Sequence, residues 1–72
     1  MNLIKCHRFT TDLTGKGHST PCAINPSQII YIEDCTTPDG HQNSYVYLAN
    51  RPRILINIPF SELLSWLEAD IP

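Results

Sequence analysis

Positive charge is scarce in this chain: five Lys and Arg stand against seven Asp and Glu, for a net charge of -2 at pH 7. Proteins that grip phosphate backbones carry the opposite surplus, so the balance argues against a nucleic-acid partner. Long apolar runs are missing too. None approaches the ~18 residues of a membrane span, and Lys5, His7 and Arg8 interrupt the N-terminus where a signal peptide would need its apolar core. No membrane insertion and a cytoplasmic location are expected. Cysteine is sparse and odd in number: Cys6, Cys22 and Cys35 cannot all pair within one chain, which excludes a complete disulfide framework and fits reduced thiols. Also lacking are a G-x-S-x-G elbow, a Walker loop, a G-x-G-x-x-G turn and any local catalytic signature around those cysteines or His7, His18 and His41. The chain is therefore read as non-enzymatic, with no catalytic residue and no cofactor.

What is present suits one small folded domain, residues 1–72, with 42% hydrophobic and 17% charged residues. A core of this size supplies only ~3–5 kcal/mol of net stability, which makes self-association an expected support. There is no repeat or linker; Gly and Pro cut the chain into short pieces.

Hydrophobic periodicity places strands at about 2–10, 21–25, 28–35, 44–50 and 53–58 and a helix at about 59–69. Asn2 to Thr10 offers Leu3, Ile4, Cys6 and Phe9 before the Thr-, Asp- and Gly-rich loop TTDLTGKG. Pro21 cannot donate to a ladder, so the next strand belongs on an edge. Asn25-Pro26-Ser27 reads as a turn, and Ile29, Ile30, Tyr31 and Ile32 as a central strand ending in the solvated pair Glu33 and Asp34. Asp39-Gly40 is a hairpin signal. Beyond it, Tyr45, Tyr47 and Ala49 alternate with Val46 and Leu48. Ile54, Ile56 and Ile58 form the cleanest period of two, against Arg53, Leu55 and Asn57. After Pro59 the period changes: Phe60, Leu63, Leu64 and Leu67 fall at helical spacing, with Trp66 off the stripe and Glu62 near the dipole's positive end. The order implies a mainly β, α+β fold, an antiparallel meander of four to five strands with one face covered by a C-terminal helix. The uncovered face and open edges are what a homo-oligomer would hide.

Few residues carry chemistry. Cys6 and Cys35 read first as small core residues on strands. One alternative is a zinc-stabilised module using His18 and Cys22 with two of Cys6, Cys35 and His41, since tetrahedral zinc takes thiolate and imidazole. Arg51 and Arg53 flank Pro52, and with Tyr47 they form a candidate site for a small anionic ligand near a subunit junction, because guanidinium forks bind phosphate and carboxylate in two-pronged fashion. Tyr31, Tyr45, Tyr47 and Trp66 are candidates for a binding face or an interface.

Two families share parts of this pattern. The turn Ile24-Asn25-Pro26, the strand residues Ile29, Ile32 and Glu33, then Val46 and Leu48, and Glu62 with Leu63 in the helix resemble the small flagellar and swarming-motility proteins of the FlbD type, over roughly residues 22–67. The stretches Ile30 to Glu33 and Ser61 to Leu64 more distantly resemble the LytTR DNA-binding domain. The first resemblance implies a small sheet-and-helix protein in motility; the second implies a DNA-binding regulator. Neither supplies a catalytic residue. The reading that follows from all of this is a small interaction or regulatory protein, of the format bacteria and phages use. It would act as a homo-oligomer and bind a protein partner or sequester a small ligand.

Overall fold

The computed structural model describes residues 3–69. Asn2, at the head of the first expected strand, lies outside the described residues. Five strands and one helix follow in the order β1 (Ile4–Thr11), β2 (Gly17–Ile24), a 3-10 turn (Pro26–Gln28), β3 (Ile29–Thr36), β4 (Gln42–Leu48), β5 (Ile54–Ile56) and α1 (Phe60–Ala69). The protein is thus a small, mainly β molecule with a five-stranded antiparallel sheet and a C-terminal helix, as expected.

Local chemistry sets each connection. The β1–β2 hairpin is organised by the Asp12 carboxylate, which accepts from the amides of Thr14 (2.9 Å) and Lys16 (3.0 Å) and from the Thr14 hydroxyl (2.6 Å), while Gly15 takes the left-handed backbone the loop needs (φ 85). Asn25 caps the 3-10 turn by accepting from Ser27 N at 3.1 Å, with Pro26 preset for the turn. The Asp39-Gly40 signal marks a hairpin in which Thr37 N donates to His41 O at 2.9 Å and Gly40 sits at φ 92.

Sheet order is β2-β1-β5-β4-β3, which departs from a simple meander. Strands β3, β4 and β5 do follow one another, but β5 also pairs with β1, so the three-residue Ile54–Ile56 segment lies between two partners. The reason is visible in its side chains: Ile56 is fully buried and fills the middle of the core. Conversely, the Ile-rich β3 is an edge strand, a correction to its reading as central. A bulge between Ile29 and Tyr31 throws Ile30 out of register, leaving it 71% exposed. The other edge is β2, as Pro21 requires. It begins at Gly17, upstream of the expected start, because the β1 ladder runs the full length from Ile4↔Ile24 to Thr11↔Gly17. At its far end β5 stops early: the Asn57 side-chain oxygen accepts from His7 N at 3.0 Å and takes the place of a backbone carbonyl.

Pairing register assigns the faces. Ile4, Cys6, Ile24, Val46, Ile56, Ile58 and Leu63 form the core beneath α1, with Leu63 the helix's buried residue. Full burial of each such aliphatic side chain contributes ~1.5–3 kcal/mol. Ser44 is buried among them and satisfied, its hydroxyl donating to Ile58 O at 2.7 Å. On the opposite face the ladder sets Phe9 beside Leu55, Leu55 beside Tyr45, Tyr45 beside Glu33, and Tyr47 beside Tyr31. The helix packs on the other side, so this aromatic row faces outward.

Candidate functional site

The structure divides the trio Arg51, Arg53 and Tyr47 between two places. Arg53 and Tyr47 do meet on the outward face: Arg53 Nη1 donates to the Tyr47 hydroxyl at 3.1 Å, and its Cζ sits 4.1 Å from the centroid of the Tyr45 ring. Tyr47 in turn meets Tyr31 edge to face with centroids 5.0 Å apart, and the Tyr31 hydroxyl donates to Glu33 at 3.2 Å. The bond to Tyr47 raises the Arg53 pKa, and the Glu33 carboxylate raises that of Tyr31. An arginine, three tyrosines and a glutamate therefore form one connected surface patch. The tyrosines had been legible as interface candidates. Glu33 belongs to the patch because strand pairing sets it beside Tyr45.

Arg51 lies elsewhere. It lines a cleft of about 490 Å³ where β2 and the 3-10 turn approach the β4–β5 connection, and the residue that joins it there is Arg8 of β1. Ile24, Leu48 and Ile54 give the cleft its apolar wall, while Asn25 and Gln28 add amide groups. No Asp or Glu lines it. Among the described residues the ion pairs are His18–Asp12 (2.8 Å) and His41–Asp39 (3.3 Å), so both arginines of the cleft are without a carboxylate partner. No local signal in the sequence places Arg8 in the same cleft as Arg51, since β1 is brought to that side of the sheet by its pairing with β5. The position of Arg51 is set by the turn before it: Arg51 N donates to Leu48 O at 3.4 Å, and Asn50 takes a left-handed conformation (φ 60).

The proposed zinc ligands are not gathered. Cys6 and Cys22 face each other in the β1–β2 ladder with Sγ atoms 3.4 Å apart, but His18 lies four residues along β2 and binds Asp12 with its Nε2 at 2.8 Å. Cys35 is on β3, at the other edge of the sheet, and His41 sits in the β3–β4 hairpin beside Asp39. Among the described residues no group of three or more His, Cys, Asp or Glu is placed to hold a metal ion. Cys35 is also corrected as a core residue. It pairs with Asn43 on the outward side of the ladder and is only half-buried, whereas Cys6 does belong to the core. Burial, reinforced by the Cys22 neighbour, pushes the Cys6 thiol up to about 12.

Among the described residues no helix is long and apolar enough to cross a membrane. Compared with family models, with curated proteins and with solved structures, the chain finds no match. The geometry of the cleft and of the aromatic patch thus carries the functional argument alone.

Proposed function

We propose that this chain is a non-enzymatic binding protein that acts as a homo-oligomer in the cytoplasm and sequesters a small anionic ligand in the cleft between Arg8 and Arg51. The observation that carries the reading is that two arginines line one cleft above an apolar wall with no carboxylate partner among the described residues. A phosphate or carboxylate group would take the guanidinium forks while an attached ring or chain lies on Ile24, Leu48 and Ile54. The reading as a binder, not a catalyst, is supported by the lining itself. Beside the Cys22 thiol and the Thr20 hydroxyl, its polar side chains are guanidiniums, which do not release protons at neutral pH, and amides, and no Asp, Glu or His among the described residues lines it to serve as a general acid or base.

Self-association is supported by the outward patch of Tyr31, Tyr45, Tyr47 and Arg53, the residue types enriched at interface centres. A protein partner on that patch is the second reading, and the FlbD-type resemblance would make that partner a motility component. A LytTR-like role in binding DNA has less support, because the arginines are shared between two separate places and do not form one basic stripe.

Native mass spectrometry of the protein purified without denaturation tests the proposal. It should show a homo-oligomer carrying a bound small mass, and the Arg8→Ala, Arg51→Ala double variant should keep the subunit number and lose that mass. A bound mass that survives in the folded double variant would overturn the assignment of the cleft. A bare oligomer would transfer the argument to the protein-partner reading.

A further inference from the structure

The two cysteines that fail to make a metal site are placed for a different reaction. Cys6 and Cys22 are directly opposed Cα partners in an antiparallel ladder, and their Sγ atoms are 3.4 Å apart. Opposed residues hold their Cβ atoms ~4.5–5.5 Å apart, close to the ~3.5–4.5 Å a disulfide spans. Closing the sulfur gap to the ~2.05 Å of a bond needs side-chain rotation and a small approach of the strands. That approach is available, because β2 is an edge strand held by β1 alone.

We propose that Cys6 and Cys22 form a thiol–disulfide exchange site, oxidised reversibly by a low-molecular-weight disulfide. Cys22 is the entry point: it is only half-buried and lines the arginine cleft, whereas Cys6 is buried and shares with Cys22 only the second hollow, beside Trp66. The Cys22 thiolate attacks one sulfur of the incoming disulfide, breaking its S–S bond, and the departing thiolate takes up a proton. Cys6 then gives its proton to solvent and attacks Cys22 Sγ in the mixed disulfide, expelling the second small thiol. The protein dithiol loses two electrons and two protons, and the small disulfide becomes two thiols. Burial that holds Cys6 as a thiol makes the second step the slower one. Cys35, on β3 at the opposite edge and paired with Asn43, takes no part in that bond. This inference stands independently of any ligand in the cleft.

The test is incubation of the full chain with glutathione disulfide, followed by alkylation of the remaining thiols and intact-mass analysis. The expected product has lost two hydrogens, carries one alkyl group at Cys35, yields a Cys6–Cys22 linked peptide and returns to the dithiol on reduction. Cys6→Ser should stop at a glutathionyl adduct on Cys22. Three alkylated thiols after equilibration with excess disulfide would overturn the proposal, as would a linkage through Cys35 between subunits in place of the Cys6–Cys22 bond.

Discussion

Replacing Leu63 with Ala should come close to unfolding the protein. Leu63 is 0% exposed and is the residue through which α1 enters the core beside Val46, Ile56 and Ile58. The substitution deletes three carbons, worth ~2.4 kcal/mol of transfer at ~0.8 kcal/mol each. The hole left behind raises the cost, since buried Leu to Ala changes lose ~2–5 kcal/mol. A single core of this size supplies ~3–5 kcal/mol in total. Little or no net stability is left, and a urea titration followed by circular dichroism at fixed protein concentration should show it. With m near ~1 kcal/mol/M the midpoint moves down by ~2 M or more, or the native baseline disappears. Leu64, on the same helix but 37% exposed, is the control, and its Ala variant should shift the midpoint less than half as far. A Leu63→Ala shift below ~0.5 M would refute the reasoning, because the helix could not then be anchored through that side chain.

The acid side of the stability curve should report on Asp12. Hydrogen bonds from Thr14, His18 and Lys16 lower its pKa from 3.8 to about 2, so its contribution is fully present above 3.8 and is lost as pH falls through about 2. Asp12→Ala should weaken the hairpin at neutral pH and flatten the pH dependence of the melting temperature in that window; an unchanged acid limb would dismiss the assignment. At Asn50, with φ 60, a Gly variant should be neutral or better, while Asn50→Val should cost ~1–2 kcal/mol, read as a fall in melting temperature. Finally, Tyr47→Ala removes the ring that both Tyr31 and Arg53 contact on the outward patch. On the proposed self-association, sedimentation should show a smaller assembly with an intact fold, and an unchanged assembly would refute the placing of the subunit contact on this face.

The elements themselves were legible in the residues because each announces its period locally. Alternation around Val46, the Ile54/Ile56/Ile58 stripe and the helical spacing ending at Leu67 all gave the right element type. Pairing order was harder to read. Nothing in Ile54–Ile56 distinguishes the partner β4 from the partner β1, and a run as apolar as Ile29 to Ile32 reads as interior although the bulge at Ile30 sets it on an edge. The same limit governs the site. Arg53 and Tyr47 were found together because adjacent antiparallel strands joined by a tight turn bring them side by side. Arg8 and Arg51 were not, because their place in one cleft depends on a ladder between the first and fifth strands. The Cys6–Cys22 pair is an intermediate case: spacing around the TGKG hairpin fixes it once the register of that hairpin is known, and the Asp12 turn sets that register.

Strand β2 ties these features into one argument. It is one of the two edge strands, held through a single eight-residue ladder to β1. It also supplies Thr20 to Ile24 to the cleft wall facing Arg51. A ligand held between Arg8 on β1 and Arg51 on the β4–β5 connection would close that wall against the body of the sheet, and a Cys6–Cys22 bond would fasten the same strand to β1 from the core side. On the proposed readings both events tie the same edge strand to the body of the sheet.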